Sequence, residues 1–220
     1  MKNLKVVLAS FLLIIILFTF GYKNISINDK VVSTIKSNEY NKDIVTDKKE
    51  SDKIKDENIV GYIKIPNTNI NTKIFQANDN KFYLKYPDKV FLDYRNNIID
   101  RKLLIYGHNS RTLKNAVFHD LELYLNEDFY IKNKYIYLNL NSEETKWEIF
   151  SIMIKKAKKY PHTIVSFNDS DWITHLNWLK EESIYDTHVS VNKNDKIITL
   201  QTCYYKPANS FLVISAKKIN

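Results

Sequence analysis

Two residue types in this chain are suited to covalent chemistry: a single cysteine, Cys203, and five histidines, His108, His119, His162, His175 and His188. A free thiol titrates near 8.5 and attacks as the thiolate, so a cysteine nucleophile needs a neighbouring base or cation. Cys203 directly follows Lys196-Ile197-Ile198-Thr199-Leu200-Gln201-Thr202, an apolar run that reads as a buried strand. The thiol then stands on a rigid element at a strand mouth, where a substrate can reach it. The other reading is a small buried hydrophobe, since free cysteines are often buried. Of the histidines, His175 lies within an amphipathic helical pattern, His119 near a helix end, His162 in a loop after Pro161, and His188 beside a strand. His108 differs: it ends the apolar run Leu103-Leu104-Ile105-Tyr106, through Gly107, at a second strand mouth. Cys203 and His108 can come together, because two strand-end residues can meet across a barrel.

The elements that must position this pair are mostly short strands. IVGYIKIP has strand alternation and stops at Pro66, and NTNINTKIFQ follows before the turn signal Asn78-Asp79-Asn80. KVFLDY, KLLIYGH, residues 135–140 and 146–156, KIITLQTC and SFLVISAK supply further strands. Residues 171–182 place Trp172, Leu176 and Leu179 at helical spacing, which predicts one amphipathic helix before the cysteine strand. Tyr, Phe, Ile and Val abound, as strands prefer. Many short strands with a few inserted helices predict a barrel or sandwich.

Residues 6–22, VVLASFLLIIILFTFGY, carry no charge and are long enough as a helix, roughly 26 Å, to cross a bilayer core. Lys2 and Lys5 precede them, so the N-terminus is expected in the cytoplasm and the rest outside. No small-x-small cleavage pattern follows, which favours an uncleaved anchor over a signal peptide. Residues 23–58, rich in Lys, Asp, Asn, Ser and Glu, read as a polar stalk, leaving 59–220 as one domain. The formal net charge is +8, nearly all from Lys, and the three arginines are Arg95, Arg101 and Arg111. Arginine-poor basicity argues against nucleic-acid readout and reads as a solvated lysine surface.

Thr199-Leu200-Gln201-Thr202-Cys203 resembles the TLxTC motif of sortases, the transpeptidases that attach proteins to Gram-positive cell walls. Tyr106-Gly107-His108-Asn109 resembles their histidine motif in its class B form, and Phe91-Leu92-Asp93-Tyr94-Arg95-Asn96 resembles a class B segment. The resemblance covers about 59–220. It implies a mostly β fold: a closed barrel of seven to eight strands with an N-terminal helix and a helix before the cysteine strand. It also implies a thioacyl mechanism without metal or cofactor. Cys203 attacks a sorting-signal peptide bond, His108 acts as acid then base, and a peptidoglycan precursor or cross-bridge amine resolves the thioester. Tyr94, Asn109 and Ser210 are candidate substrate contacts. The expected enzyme is a single-pass membrane protein with an extracellular catalytic domain and no nucleic-acid partner. The pattern breaks at one place. Sortases carry an arginine on the strand after the cysteine, and here that position falls on Phe211; no arginine follows Arg111. The alternatives are therefore a degenerate peptide-binding module or a cysteine peptidase.

Overall fold

The strands form where β-branched and aromatic residues alternate with polar ones, and the alternation closes on itself. The computed structural model describes residues 58–113, 115–156 and 161–220. The chain divides into two units, Met1–Lys55 and Asp56–Asn220, and the described residues lie in the second. The expected anchor, stalk and N-terminal helix fall outside the described residues. Among the described residues, no helix is long and apolar enough to cross a membrane.

Eight strands run in sequence: β1 (Ile59–Lys64), β2 (Asn71–Phe75), β3 (Val90–Leu92), β4 (Lys102–Gly107), β5 (Tyr135–Leu140), β6 (Glu143–Lys156), β7 (Ile197–Tyr204) and β8 (Ser210–Lys218). They close a mixed barrel in the order β1-β2-β3-β4-β7-β8-β6-β5. The barrel and the helix before the cysteine strand are as the sequence predicts. Closure pairs every strand on both sides, so no edge remains open. The crossover between β4 and β7 is the pairing that matters for function. These strands are parallel, with Lys102 opposite Ile197 and Tyr106 opposite Gln201.

Alternate residues point inward. Leu103 and Ile105 of β4, Ile198 and Leu200 of β7, and Leu212 and Ile214 of β8 join the barrel core with Ile63, Ile74, Ile136 and Leu138. β6 changes its parity part-way. Trp147 and Ile149 face inward, then the register against β8 slips between Ile149 and Ser151. Beyond this bulge Ile152 faces inward while Phe150 and Met153 face out, because one extra residue exchanges the two faces of a strand.

The outward Phe150 and Met153, with Ile197 and Val213, make an apolar patch on the barrel wall. Helix α3 (Asp169–Glu181) covers it with Trp172, Leu176 and Leu179. Asn168 caps this helix by accepting from the Asp171 N–H at 2.8 Å. Of two shorter helices, α1 (Lys81–Leu84) lays Tyr83 against Phe75 and Phe91, while α2 (Glu127–Lys132) and a 3-10 helix over His119–Leu125 add Tyr130, Leu121 and Tyr124 to the barrel core.

Candidate active site

β4 and β7 end side by side. Their parallel pairing runs to Tyr106 opposite Gln201, and the same offset carried two residues further sets Gly107 level with Thr202 and His108 level with Cys203. Side-chain bonds fasten the two ends at this level. Thr202 Oγ1 donates to the Gly107 carbonyl at 2.7 Å, and Asn109 Nδ2 donates to the Cys203 carbonyl at 3.1 Å. Tyr205 Oη donates to the Asn109 carbonyl at 2.8 Å. Residues in register on adjacent strands share a face, so His108 and Cys203 both belong to the outer wall of the barrel.

The sequence dictates this end locally. A Cβ on Gly107 would lie 2.5 Å from the Phe118 ring, so only glycine lets that fully buried ring close over the strand end. The Phe118 N–H then takes the His108 carbonyl at 2.8 Å. The glycine before the histidine is thus required by close approach rather than by a turn.

Cys203 is exposed, within β7 rather than after it, and heads an open cleft of about 720 Å³. The cleft is lined by Lys156, Tyr204, Tyr205, Ser210 and Phe211, with Ala208 and Asn209 from the loop between β7 and β8. Asn209 turns that loop in the left-handed region, φ 57°, which asparagine tolerates well. Phe211 stands directly opposite Cys203 in the β7–β8 register. Burial within the cleft walls pushes the Cys203 thiol above its ordinary value. Burial pushes His108 below its ordinary value, against the opposing pull of the Tyr83 and Leu84 backbone at the end of α1 and the charge of Asp88. At neutral pH the resting pair is therefore thiol and neutral imidazole. His108 Nε2 is buried with no hydrogen-bond partner. Among the described residues, no group of three or more His, Cys, Asp or Glu converges as metal ligands do.

The other expected contacts fall in different places. Ser210 lines the cleft, 3% exposed, and its hydroxyl has no hydrogen-bond partner. Tyr94 is half exposed, outside the residues that line the cleft, with its N–H given to Asn80 Oδ1 at 3.0 Å. Asn109 is 3% exposed and gives both amide hydrogens to the protein: one to Cys203, the other to Glu122 Oε1 at 2.5 Å.

Comparison with known proteins places the fold. Residues 63–219 match the sortase domain family. The chain belongs to the sortase family, in its class B. It is 31% identical over 155 residues to sortase B of Listeria monocytogenes, covering 66% of this chain and 62% of that relative's length. Clostridium perfringens sortase B superposes with a TM-score of 0.70 at 31% identity, covering 75% of this chain and 96% of that one. A Staphylococcus aureus sortase B–substrate complex superposes with a TM-score of 0.68 at 29% identity, covering 75% and 81%.

Behind the cleft, this sortase carries a polar cluster that its composition conceals. Lys102, expected on a solvated lysine surface, is wholly buried. It lies on the outer face of β4 beneath α3, and donates to the His162 carbonyl at 2.6 Å and to His175 Nε2 at 2.9 Å. His162 Nε2 bonds Gln201 Oε1 at 2.9 Å, two residues before Cys203. Burial, then the Lys102 charge, lowers His162 to about 4 and His175 to about 2. Burial drives Lys102 itself well below its ordinary value. Nearby, the wholly buried Asp93 accepts Arg95 Nε and Nη2, both at 2.8 Å, with Asn80 Nδ2 and Tyr106 Oη at 3.0 Å. Burial raises its carboxyl, but these donors together outweigh burial and hold it below the usual value. Arg95 also donates to the Thr163 carbonyl at 2.9 Å, tying this segment to the 3-10 turn Pro161–Thr163.

Sequence reasoning missed Glu122, Tyr205 and the Lys102 cluster. Glu122 sits in a run that reads as an ordinary helix end. The one available signal for Lys102 was its place at the head of an apolar strand whose next strand also runs apolar on both faces.

Proposed function

We propose that this sortase is a cysteine transpeptidase, with Cys203 as nucleophile and His108 as acid and base. The carrying observation is the register that brings an exposed thiol and a histidine with a bare Nε2 to one level of the barrel wall. Cys203 Sγ gives its proton to His108 and attacks the carbonyl carbon of a sorting-signal peptide. The C–N bond breaks, and the leaving amine takes that proton from His108. A wall-precursor amine then attacks the thioester and gives its proton to His108, which returns it to the sulfur as the C–S bond breaks and the thiol is restored. The S. aureus sortase B solved as a substrate complex supports substrate binding on this fold. The proposed setting is the outer face of the cell membrane, with residues 6–22 as anchor.

A second reading rests on Phe211. An aromatic ring lies opposite Cys203 where the resemblance implies an arginine, and a phenyl group supplies no hydrogen bond to a developing oxyanion, a loss of about 2.7–4 kcal/mol in hydrolases. This favours a peptide-binding module of weak activity. Intact mass spectrometry of the protein with a panel of sorting-signal peptides separates the two. A covalent adduct that requires Cys203, and that an added amine discharges into a ligated peptide, establishes transpeptidation. Peptide binding that persists in Cys203→Ala, with no adduct on the native protein, replaces it with the binding module.

A further inference from the structure

We infer that Asn109 is a positioning residue for the thiol, acting through the backbone of Cys203; this rests on the proposed pairing of Cys203 with His108. The case is geometric. Asn109 is 3% exposed, immediately follows His108, and touches the cysteine strand with its side chain and its carbonyl.

Its amide orientation is fixed by its neighbours. On the nitrogen side stand two acceptors, Glu122 Oε1 at 2.5 Å and the Cys203 carbonyl at 3.1 Å. On the oxygen side stands His119 Nδ1 at 2.8 Å. A flipped amide would present its oxygen to two acceptors, so the nitrogen must face Glu122 and Cys203, and His119 must donate from Nδ1. The bond to the Glu122 carboxylate is short and charge-assisted, the stronger kind. It anchors the amide to the 3-10 helix His119–Leu125, and the second N–H is left to hold the Cys203 carbonyl.

Holding that carbonyl matters because it restrains rotation about the Cys203 Cα–C bond at a residue that is otherwise exposed near a strand end. Thr202 is tied to Gly107 just before, and Tyr205 to Asn109 just after. The His108 carbonyl is tied to the Phe118 N–H. Asn109 supplies the bond at the level of the thiol itself. With it, Cys203 keeps a fixed backbone beside His108. Without it, the pairing of Cys203 with Phe211 on β8 still holds one side of the strand, but the carbonyl facing Asn109 loses its donor and the thiol-bearing residue can shift relative to the imidazole.

The test is carbamidomethylation of Cys203 by iodoacetamide in the full-length protein across pH, a reaction that needs no peptide substrate. The imidazole takes the thiol proton in this reaction only if the two side chains meet. His108→Ala should therefore lower the neutral-pH rate and leave a profile governed by the thiol alone. Asn109→Ala should reproduce that profile, with the neutral-pH rate falling about tenfold, within the range for coupled neighbours. Asn109→Asp, which keeps the shape and the acceptor for His119 but has no hydrogen for Cys203, should do the same and covers the case in which the alanine variant does not fold. A purely structural role would lower the melting temperature and leave the pH profile as in wild type, and that result overturns the inference. A wild-type profile that His108→Ala does not move would overturn the Cys203–His108 pairing, and the role of Asn109 with it.

Discussion

Two polar clusters share the outer faces of β4 and β7, and they are built in opposite ways. Beneath α3, Lys102, His162, His175 and Gln201 are buried and bonded to one another. A few residues on, at the strand ends, Cys203 is exposed, while His108 Nε2 and the Ser210 hydroxyl are buried without partners. A buried polar group left unbonded costs about 1–3 kcal/mol. Two such groups stand near the thiol, and others, among them Trp172 Nε1, lie elsewhere, while Lys102 Nζ, His175 Nε2, His162 Nε2 and Gln201 Oε1 behind it are bonded. The inner cluster holds the wall; the outer one keeps hydrogen-bonding capacity for something that enters from solvent.

Acid should break the inner cluster first, and this is the largest expected effect on stability. His162 and His175 bind their protons more readily once unfolded, because their folded values lie at about 4 and about 2 against an ordinary 6.5. Stability is then complete above about pH 6.5 and falls below it, by up to about 1.4 kcal/mol per pH unit from each histidine. Asp93 adds to the loss at still lower pH, since its carboxyl is held below the ordinary value and must be protonated. Urea midpoints measured from pH 7.5 to 4.5 should fall steadily. A flat profile would show that the histidines take up protons without unfolding.

Asp93→Ala should come next, at about 3 kcal/mol. It leaves Arg95, Asn80 and Tyr106 without their common acceptor, although Arg95 is partly exposed and keeps access to water. Thermal melting reads the loss. Gly107→Ala sharpens the comparison from the other side. Its Cβ strikes the Phe118 ring, costing about 1–3 kcal/mol. It should slow Cys203 chemistry as well, because the strain falls on the residue next to His108.

The activity profile tests the outer cluster alone. With His108 lowered and Cys203 raised, kcat/KM should follow a bell whose acid limb lies below the ordinary histidine value and whose alkaline limb lies above the ordinary thiol value. A bell shifted inward at either limb would mean a less buried pair. The smallest effect is expected from Ser210→Ala. Removing an unpartnered buried hydroxyl should leave the melting temperature unchanged or raise stability by about 1 kcal/mol. A rise in KM in the same variant would show that the hydroxyl meets the substrate.

The strands that carry Cys203 and His108 were readable in the sequence, because alternation is local. KLLIYGH and KIITLQTC announce β4 and β7, and β7 exceeds its expected end by two residues, through Tyr204. What stayed hidden depends on distance along the chain. Asn109 meets Cys203 across 94 positions, and Lys102 meets His175 across 73. Lys102 reads as one more surface lysine until a helix is laid over it. The parity change in β6 was equally silent, since a bulge adds a residue without altering composition. Helix α1 was hidden by its own sequence, Asn78-Asp79-Asn80 followed by Lys-Phe-Tyr-Leu, which reads as a turn.

The pairing of β4 with β7 also bears on when the thiol becomes dangerous. Its two partners are synthesised about a hundred residues apart, and contacts of such long range form late, after much of the loop entropy has been overcome. Until β7 slots between β4 and β8, Cys203 has no histidine beside it and no cleft around it. On the proposed pairing with His108, a chain that is still emerging, or one cut short before β8, carries an ordinary thiol, and its reactivity arrives with barrel closure.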